Sequence, residues 1–472
     1  MTTSDNGSIV VVGGGAGGLE LACKLGRKLG RARVLLVERA THHIWKPSLH
    51  EVAAGTLDMQ REGLSYAMLA HHNGFTFVHG AFAGLDAQRR EITVAAPEGE
   101  GGDVQPPQRT LGYARLCIAV GSTSHYFDTP GAAQHTVSLN TAADAERFRS
   151  ELLGHMVRAG QRKRSDPGAG VDVVIIGAGA TGVELAAELR EASRRHIGYG
   201  MGALAAADVR ITLLEGAPRI LPPLPERVAA AAHQMLEARD VRVETGRRVA
   251  SIGPGQVLDT DGGCYPFQLC VWAAGIRAPA WLATLGLPTN GAGQLIVTPA
   301  LNVEGSADIH ALGDCAACTL EGGQRVPPRA QAAHQQADYL YRTLLAQLDG
   351  RPAPQAAFVY RDYGSLVSVG SSASVGTLMG SLRGRSLFVR GALARVMYVS
   401  LHLLHDRAAG RAAHGRPGAG ARAGAAQHGA GQAALSAADG RGDPAIPAAR
   451  RSRRCAADPF SATAVRPRHR RR

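Results

Sequence analysis

Ile9-Val10-Val11-Val12-Gly13-Gly14-Gly15-Ala16-Gly17-Gly18 near the start of the chain and Val173-Val174-Ile175-Ile176-Gly177-Ala178-Gly179-Ala180-Thr181-Gly182 further on follow one plan. Each is a short β-branched run, a G-x-G-x-x-G turn and then a helix-forming stretch. In that context the first glycine permits a tight turn, the second lets backbone approach a pyrophosphate, and the third lets the helix pack closely on the strand. The phosphate charge then meets the helix N-terminus. One such turn is a weak signal. Two, each between a strand and a helix, imply two dinucleotides and a relay of electrons between bound cofactors.

An acid closes each unit. The predicted strand after the first helix ends in Glu38, twenty residues beyond Gly18, where a carboxylate suits the ribose hydroxyls of an adenine dinucleotide. The matching strand of the second unit, residues 209–214, ends in Glu215 after a longer, glycine-bearing loop. A carboxylate at Glu215 repels a 2′-phosphate, which favours NADH over NADPH.

Between these landmarks the pattern predicts strands at 75–79, 91–94 and 113–120, the last leading into Gly121. It predicts a linker at 160–170, a helix at 181–193, and strands at 241–243 and Leu269–Trp272 before Gly275. A strand at 309–312 then runs into Gly313-Asp314, followed by a helix over Ala330–Leu348. The expected fold is therefore α/β, with two Rossmann-like dinucleotide-binding domains. The first is split, 1–160 and 293–350, around a second at 170–292.

Composition bounds the rest. At 472 residues the chain has room for two or three domains, and no apolar run is long enough to cross a bilayer. The first strand begins within a few residues of Met1, so no secretory leader is expected. Seven scattered cysteines read as reduced thiols rather than a disulfide framework. Cys315 and Cys318 form a lone C-x-x-C; with no second pair, buried thiols are expected there and no metal site.

Of the net charge of +13, +10 lies in residues 409–472, where 13 arginines face 3 aspartates. That segment is almost wholly Ala, Gly, Arg, Pro, Ser and His, too poor in apolar surface to offset its ordering entropy, and is expected to be disordered. Phe460 is its sole aromatic, so base stacking, and with it a nucleic-acid partner, is not expected.

Five further stretches carry a resemblance. They are Ile44-Trp45-Lys46-Pro47-Ser48-Leu49-His50-Glu51-Val52-Ala53, Trp272-Ala273-Ala274-Gly275-Ile276-Arg277-Ala278-Pro279, Pro327-Pro328-Arg329-Ala330-Gln331-Ala332-Ala333-His334-Gln335, and Tyr363-Gly364-Ser365-Leu366-Val367-Ser368 with Val375-Gly376-Thr377-Leu378-Met379-Gly380. Over roughly residues 8–406 the chain resembles bacterial type II NADH:quinone oxidoreductases.

That resemblance implies a non-pumping flavoenzyme held peripherally on the cytoplasmic face of the bacterial inner membrane. In such an enzyme NADH reduces FAD and two electrons pass to ubiquinone or menaquinone. It implies that Gly13, Gly15, Gly18 and Glu38 hold the ADP part of FAD, with Lys46, Pro47, Gly121, Gly313, Asp314, Ala332 and Gly275 around the flavin. Gly177, Gly179, Gly182 and Glu215 would hold NADH, and Glu184 would point toward the nicotinamide or flavin. Gln331 and Gln335, four apart on one helix face, would offer amides to quinone carbonyls; His334 projects elsewhere and takes no role.

A homodimer also fits the family. The nearest competitor, a sulfide:quinone reductase, needs cysteines beside the flavin and has no use for the second fingerprint.

Residues 351–408 are expected to carry an amphipathic membrane-surface helix, with Leu393, Val396, Met397, Leu401 and Leu404 at helical spacing over 391–404 and arginines around it. Beyond it the family continues with a basic, lysine-bearing segment, whereas residues 409–472 contain no lysine and have the composition of a GC-rich gene read out of frame. Resequencing the locus is expected to show a frameshift near Ala408; one intact frame through it would refute this reading.

Overall fold

The computed structural model describes residues 7–96, 108–200, 203–351, 356–370, 374–379 and 386–391. Its centre is a pair of five-stranded parallel sheets. The first runs in the order Ile309–Ala311, Arg115–Ile118, Ile9–Val12, Val34–Glu38, Thr76–His79. The second runs Val137–Ser138, Leu269–Trp272, Val171–Ile176, Val209–Glu215, Val241–Thr245. In each, the glycine-turn strand lies at the centre and is buried along nearly its whole length, as a β-branched run requires when both faces are covered; only Asp172, near the start of the second, is partly exposed.

Ile309–Ala311 pairs with Arg115–Ile118, so the chain returns to the first sheet after building the second. Two three-stranded antiparallel sheets sit beside the main ones, over residues 81–112 and 249–266. A third closes the described chain: Gly364–Ser368, Ser374–Met379 and Ser386–Gly391. Val367 and Val375 from this last sheet, with Val369 just past its first strand, join the apolar core around the second parallel sheet.

Two expectations need correcting. The linker expected at 160–170 begins inside a helix, Ala142–Arg162. A capping box between Thr141 and Asp144 starts that helix, and Ala145, Phe148, Leu152, Met156 and Ala159 bury one stripe of it. Strand Val137–Ser138 ahead of it belongs to the second sheet, which therefore recruits chain well before residue 170.

The amphipathic helix expected over 391–404 and the tail at 409–472 lie outside the described residues, except Gly391, which ends a strand. Among the described residues no helix is long and apolar enough to cross a membrane.

Two histidines tie stability to pH. His43 and His310 are buried, and burial pushes each imidazole down to about 4 from its ordinary 6.5. Both stay neutral in the folded protein while the unfolded chain protonates them. Their stabilisation is therefore complete above pH 6.5 and is lost as pH falls toward 4. Urea unfolding between pH 6.5 and 5 is expected to show stability falling, with each histidine contributing about 1 kcal/mol per pH unit. His310→Leu is expected to remove its own share of that slope.

Candidate active site

The two glycine turns share one geometry. Gly13 and Gly177 have φ of +100° and +101°, a conformation that side-chain-bearing residues rarely adopt. A Cβ on Gly18 would lie 1.9 Å from the Gly13 carbonyl oxygen, and one on Gly182 would lie 1.9 Å from that of Gly177. Neither position can hold a larger residue.

At the middle glycines, Gly15 and Gly179, an added Cβ would meet nothing within 4 Å. Each of these caps a helix, Ala16–Leu29 and Ala180–Gly198, that has no acid in its first turn. Open space over backbone amides at a helix N-terminus is a cradle for a phosphate pair.

The acids close both cradles alike. Glu38 accepts from Gly14 N at 2.6 Å and Ala40 N at 3.0 Å. Glu215 accepts from Ala178 N and Ala217 N, both at 2.8 Å. The first cradle is also buttressed from behind, where Tyr66 Oη donates to Gly14 O at 2.8 Å and His43 Nδ1 lies 3.0 Å from the same oxygen.

Around the first cradle the structure gathers residues far apart in sequence. Lys46 Nζ donates to Ser122 O at 2.8 Å, and Ser122 Oγ donates to Asp314 Oδ2 at 2.7 Å. Burial lowers the Lys46 ammonium pKa, and the Asp314 charge partly restores it. Pro47 opens the single turn Lys46–Ser48. Gly121, at φ +70°, has free space where a side chain would go.

Gly313 takes φ +75° and donates its N–H to Gln336 Oε1 at 2.7 Å, fixing the Gly-Asp turn to the helix Ala330–Leu348. Ala332 is buried in the first turn of that helix. Gly275 packs under the Phe127 ring, where a Cβ would come within 2.6 Å, and its carbonyl accepts from His125 N. The short strands Thr123–Ser124 and Ile276–Arg277 pair antiparallel, joining chain that leaves one sheet to chain that leaves the other.

Glu184 is buried on the second helix. Its Oε1 accepts from Ser368 N at 3.0 Å, and its Oε2 lies 3.7 Å from His50 Nδ1. Sequence reasoning missed both partners; His50 stood within a quoted motif, but nothing in the pattern marked it as facing Glu184. His334, given no role from sequence, is hydrogen-bonded to Glu20 on the first helix, and its ring meets Trp45 edge-on at 6.2 Å.

Gln331 and Gln335 do share a face, and both turn their amides to the backbone of residues 361–364. Cys315 and Cys318 are buried free thiols, each pushed up to about 11 by burial.

The cradle geometry separates fold from binding. Gly182→Ala is expected to destabilise the protein by about 1–3 kcal/mol through overpacking against Gly177 O. Gly179→Ala is expected to stay within about 1 kcal/mol of the parent in thermal unfolding. It is expected to bind the nicotinamide dinucleotide about tenfold more weakly by titration, because its methyl takes pyrophosphate space.

Comparison with known proteins follows the same lines. The pyridine nucleotide-disulphide oxidoreductase family matches residues 7–337. The type II NADH:quinone oxidoreductase of Haemophilus influenzae is 36% identical over 417 residues, covering 85% of this chain and 94% of that protein. The type II NADH:quinone oxidoreductase Ndh of Mycobacterium tuberculosis is 28% identical over 410 residues, 84% of each chain.

Among solved structures, NDH2 from Plasmodium falciparum in complex with NADH superposes with a TM-score of 0.71 at 18% identity. That match covers 86% of this chain and 96% of the other, and at such identity it speaks to fold. A duplicated dinucleotide cradle, a fold shared almost end to end, and a relative matched over nearly its whole length place this chain in the type II NADH:quinone oxidoreductase family, within the pyridine nucleotide-disulphide oxidoreductases.

Proposed function

We propose that this chain oxidises NADH and reduces a membrane quinone by two electrons without pumping protons; its relatives are named for NADH:quinone oxidoreduction. The duplicated cradle carries the reading: one chain builds two open phosphate sites of matching geometry, each with an acid at the ribose position. A flavin, when bound, supplies the two-electron chemistry that links nicotinamide and quinone.

FAD rather than FMN is proposed, because Gly13, Gly15, Gly18 and Glu38 form a full adenine-dinucleotide cradle. Lys46 and Pro47, with Gly121, Gly313, Asp314, Ala332 and Gly275, would line the flavin side. Ser122 bridges Lys46 and Asp314, its carbonyl accepting from the ammonium and its hydroxyl donating to the carboxylate, so the two charges are held apart by one residue. A carboxylate beside a glycine turn accepts hydroxyl hydrogen bonds while the turn's amides face phosphate.

Gly177, Gly179, Gly182 and Glu215 would hold NADH, with the Glu215 charge disfavouring a 2′-phosphate. Glu184 would face the nicotinamide, its carboxylate steadied by Ser368 N–H and His50. The amides of Gln331 and Gln335 and the small Ala332 and Ala333 would border the quinone. Ubiquinone or menaquinone would be the acceptor, approached from the cytoplasmic face of the inner membrane by a peripherally bound protein, as a homodimer.

Sulfide as reductant is disfavoured, since the free cysteines among the described residues are all buried and residues 42–50 contain none. Purified protein is expected to be yellow. NADH added anaerobically should bleach it, and a soluble quinone should restore the colour. Correctly folded protein without flavin, or bleaching by sulfide in place of NADH, would end the proposal.

A further inference from the structure

His334 stands three residues beyond Gln331 on the helix Ala330–Leu348. Residues at that spacing are neighbours on a helix surface, about 5–6 Å apart between Cβ atoms. Helix side chains lean back toward the N-terminus, here toward the turn that would border the quinone. The imidazole ring meets Trp45 edge-on at 6.2 Å, and Trp45 directly precedes Lys46 and Pro47. Its Nδ1 is hydrogen-bonded to Glu20 Oε2 on the helix Ala16–Leu29. The ring is thus held between the first phosphate-binding helix and the chain that would line the flavin.

Glu20 is a charged residue in an apolar setting. Leu19, Leu21, Ala22 and Cys23 beside it are fully buried, and its own side chain is only 7% exposed. A carboxylate so placed loses its hydration and must be matched by partners. Oε2 goes to His334, and Oε1 accepts from Lys24 Nζ at 2.6 Å. Lys24 is paired in turn with Asp338, one turn beyond His334. Burial opposes the Glu20 charge, but the hydrogen bonds and charges of His334 and Lys24 outweigh it and hold the carboxyl below its ordinary value.

Among the described residues, the titratable groups around the ring come from three elements. Glu20 and Lys24 belong to the first helix, Asp338 to the ring's own helix, and His43, buried and neutral, to the strand His42–His43. A carboxylate on Nδ1 fixes the imidazole and makes Nε2 the nitrogen that exchanges a proton with other groups. The His334 side chain is 23% exposed, which lets it exchange protons with water.

Quinone reduction calls for such a group. NADH supplies a hydride, whereas quinol carries two O–H bonds, so NADH + H⁺ + quinone → NAD⁺ + quinol takes one proton from water. Gln331 and Gln335, which would border the same acceptor, are amides and have no proton to give up. Resting on the proposed quinone reduction, we infer that His334 donates this proton, with Glu20 as the positioning residue that orients the imidazolium and balances its charge. An O–H bond forms on the two-electron-reduced quinone as the Nε2–H bond breaks. Neutral His334 then recovers its proton from water.

The test uses full-length, flavin-loaded protein, reduced anaerobically with NADH. It is then reoxidised in a single turnover by a soluble quinone, or by ferricyanide, which takes electrons without protons. His334→Gln is expected to slow reoxidation by quinone about 100-fold near neutral pH, the scale of a positioned general acid. Reoxidation by ferricyanide is expected to keep the parent rate. In the parent, the quinone rate is expected to fall as pH rises and the imidazolium is lost. His334→Gln is expected to abolish that fall. Glu20→Gln is expected to move it to lower pH, because a neighbouring carboxylate favours a charged imidazole. NMR of the oxidised protein with isotope-labelled histidine reads the pair without turnover. The signal missing from His334→Gln identifies the residue, which is expected to titrate at lower pH in Glu20→Gln than in the parent.

The inference is overturned if His334→Gln reoxidises with quinone at the parent rate, or if the pH dependence survives in it. It is equally overturned if quinone and ferricyanide slow together, as loss of a purely structural tie between the two helices would cause. A His334 titration that does not move in Glu20→Gln also ends it. Glu20→Gln keeps the size of the side chain and carries the pH test by itself if His334→Gln does not fold. A parent protein that quinone does not reoxidise ends the proposed function and the inference with it, whereas a reoxidised parent with an unaltered His334→Gln ends the inference alone.

Discussion

The close approach of a helix to the strand before it, allowed only by Gly18 against Gly13 and by Gly182 against Gly177, is the constraint on which both halves of the molecule rest. At that separation the helix N-terminus stands directly over the carboxyl end of its strand, and nothing but backbone lines the opening. The middle glycines then have open space above them, and the acids at Glu38 and Glu215 have turn amides within reach. Moving either helix outward by the width of one methyl group would separate acid, amides and helix terminus together. The duplication also explains why the central strands must be apolar on both faces: each is the innermost member of a covered sheet.

A second layer is built on that frame by long-range polar contacts. The set Lys46, Ser122 and Asp314 draws three segments to one place, and Gln336 holds the Gly313 turn to its helix. None of these bonds is large alone, about 1 kcal/mol each in net terms. Their effect is positional: they fix loops whose ends the two sheets have already brought close.

How far the sequence could be read follows from range. The strand Leu269–Trp272 and the helix Ala330–Leu348 were legible to the residue, because a short apolar run and a long alanine-rich stripe carry their own period. The helix Ala142–Arg162 was not, since its apolar stripe is diluted by arginines and acids and its signal lay in the Thr141–Asp144 cap. The C-terminal sheet was invisible as a sheet: its strands are short, and what orders them is packing of Val367, Val369 and Val375 on a core built elsewhere. At the site, glycines and acids announce themselves by local spacing. The partners of Glu184, Gln331 and Gln335 do not, because Ser368 and residues 361–364 reach them only once the chain has folded back.

The return of Ile309–Ala311 to the edge of Arg115–Ile118 has a consequence for biogenesis. As the chain leaves the ribosome, the N-terminal sheet waits with that edge unpaired until nearly two hundred further residues have emerged. The intervening unit, whose five strands all lie between Val137 and Trp272, can complete itself first. Maturation of the protein is therefore nested, inner half before outer half. The waiting edge is the surface on which a nascent-chain chaperone, or a neighbouring nascent chain, has the longest opportunity to act.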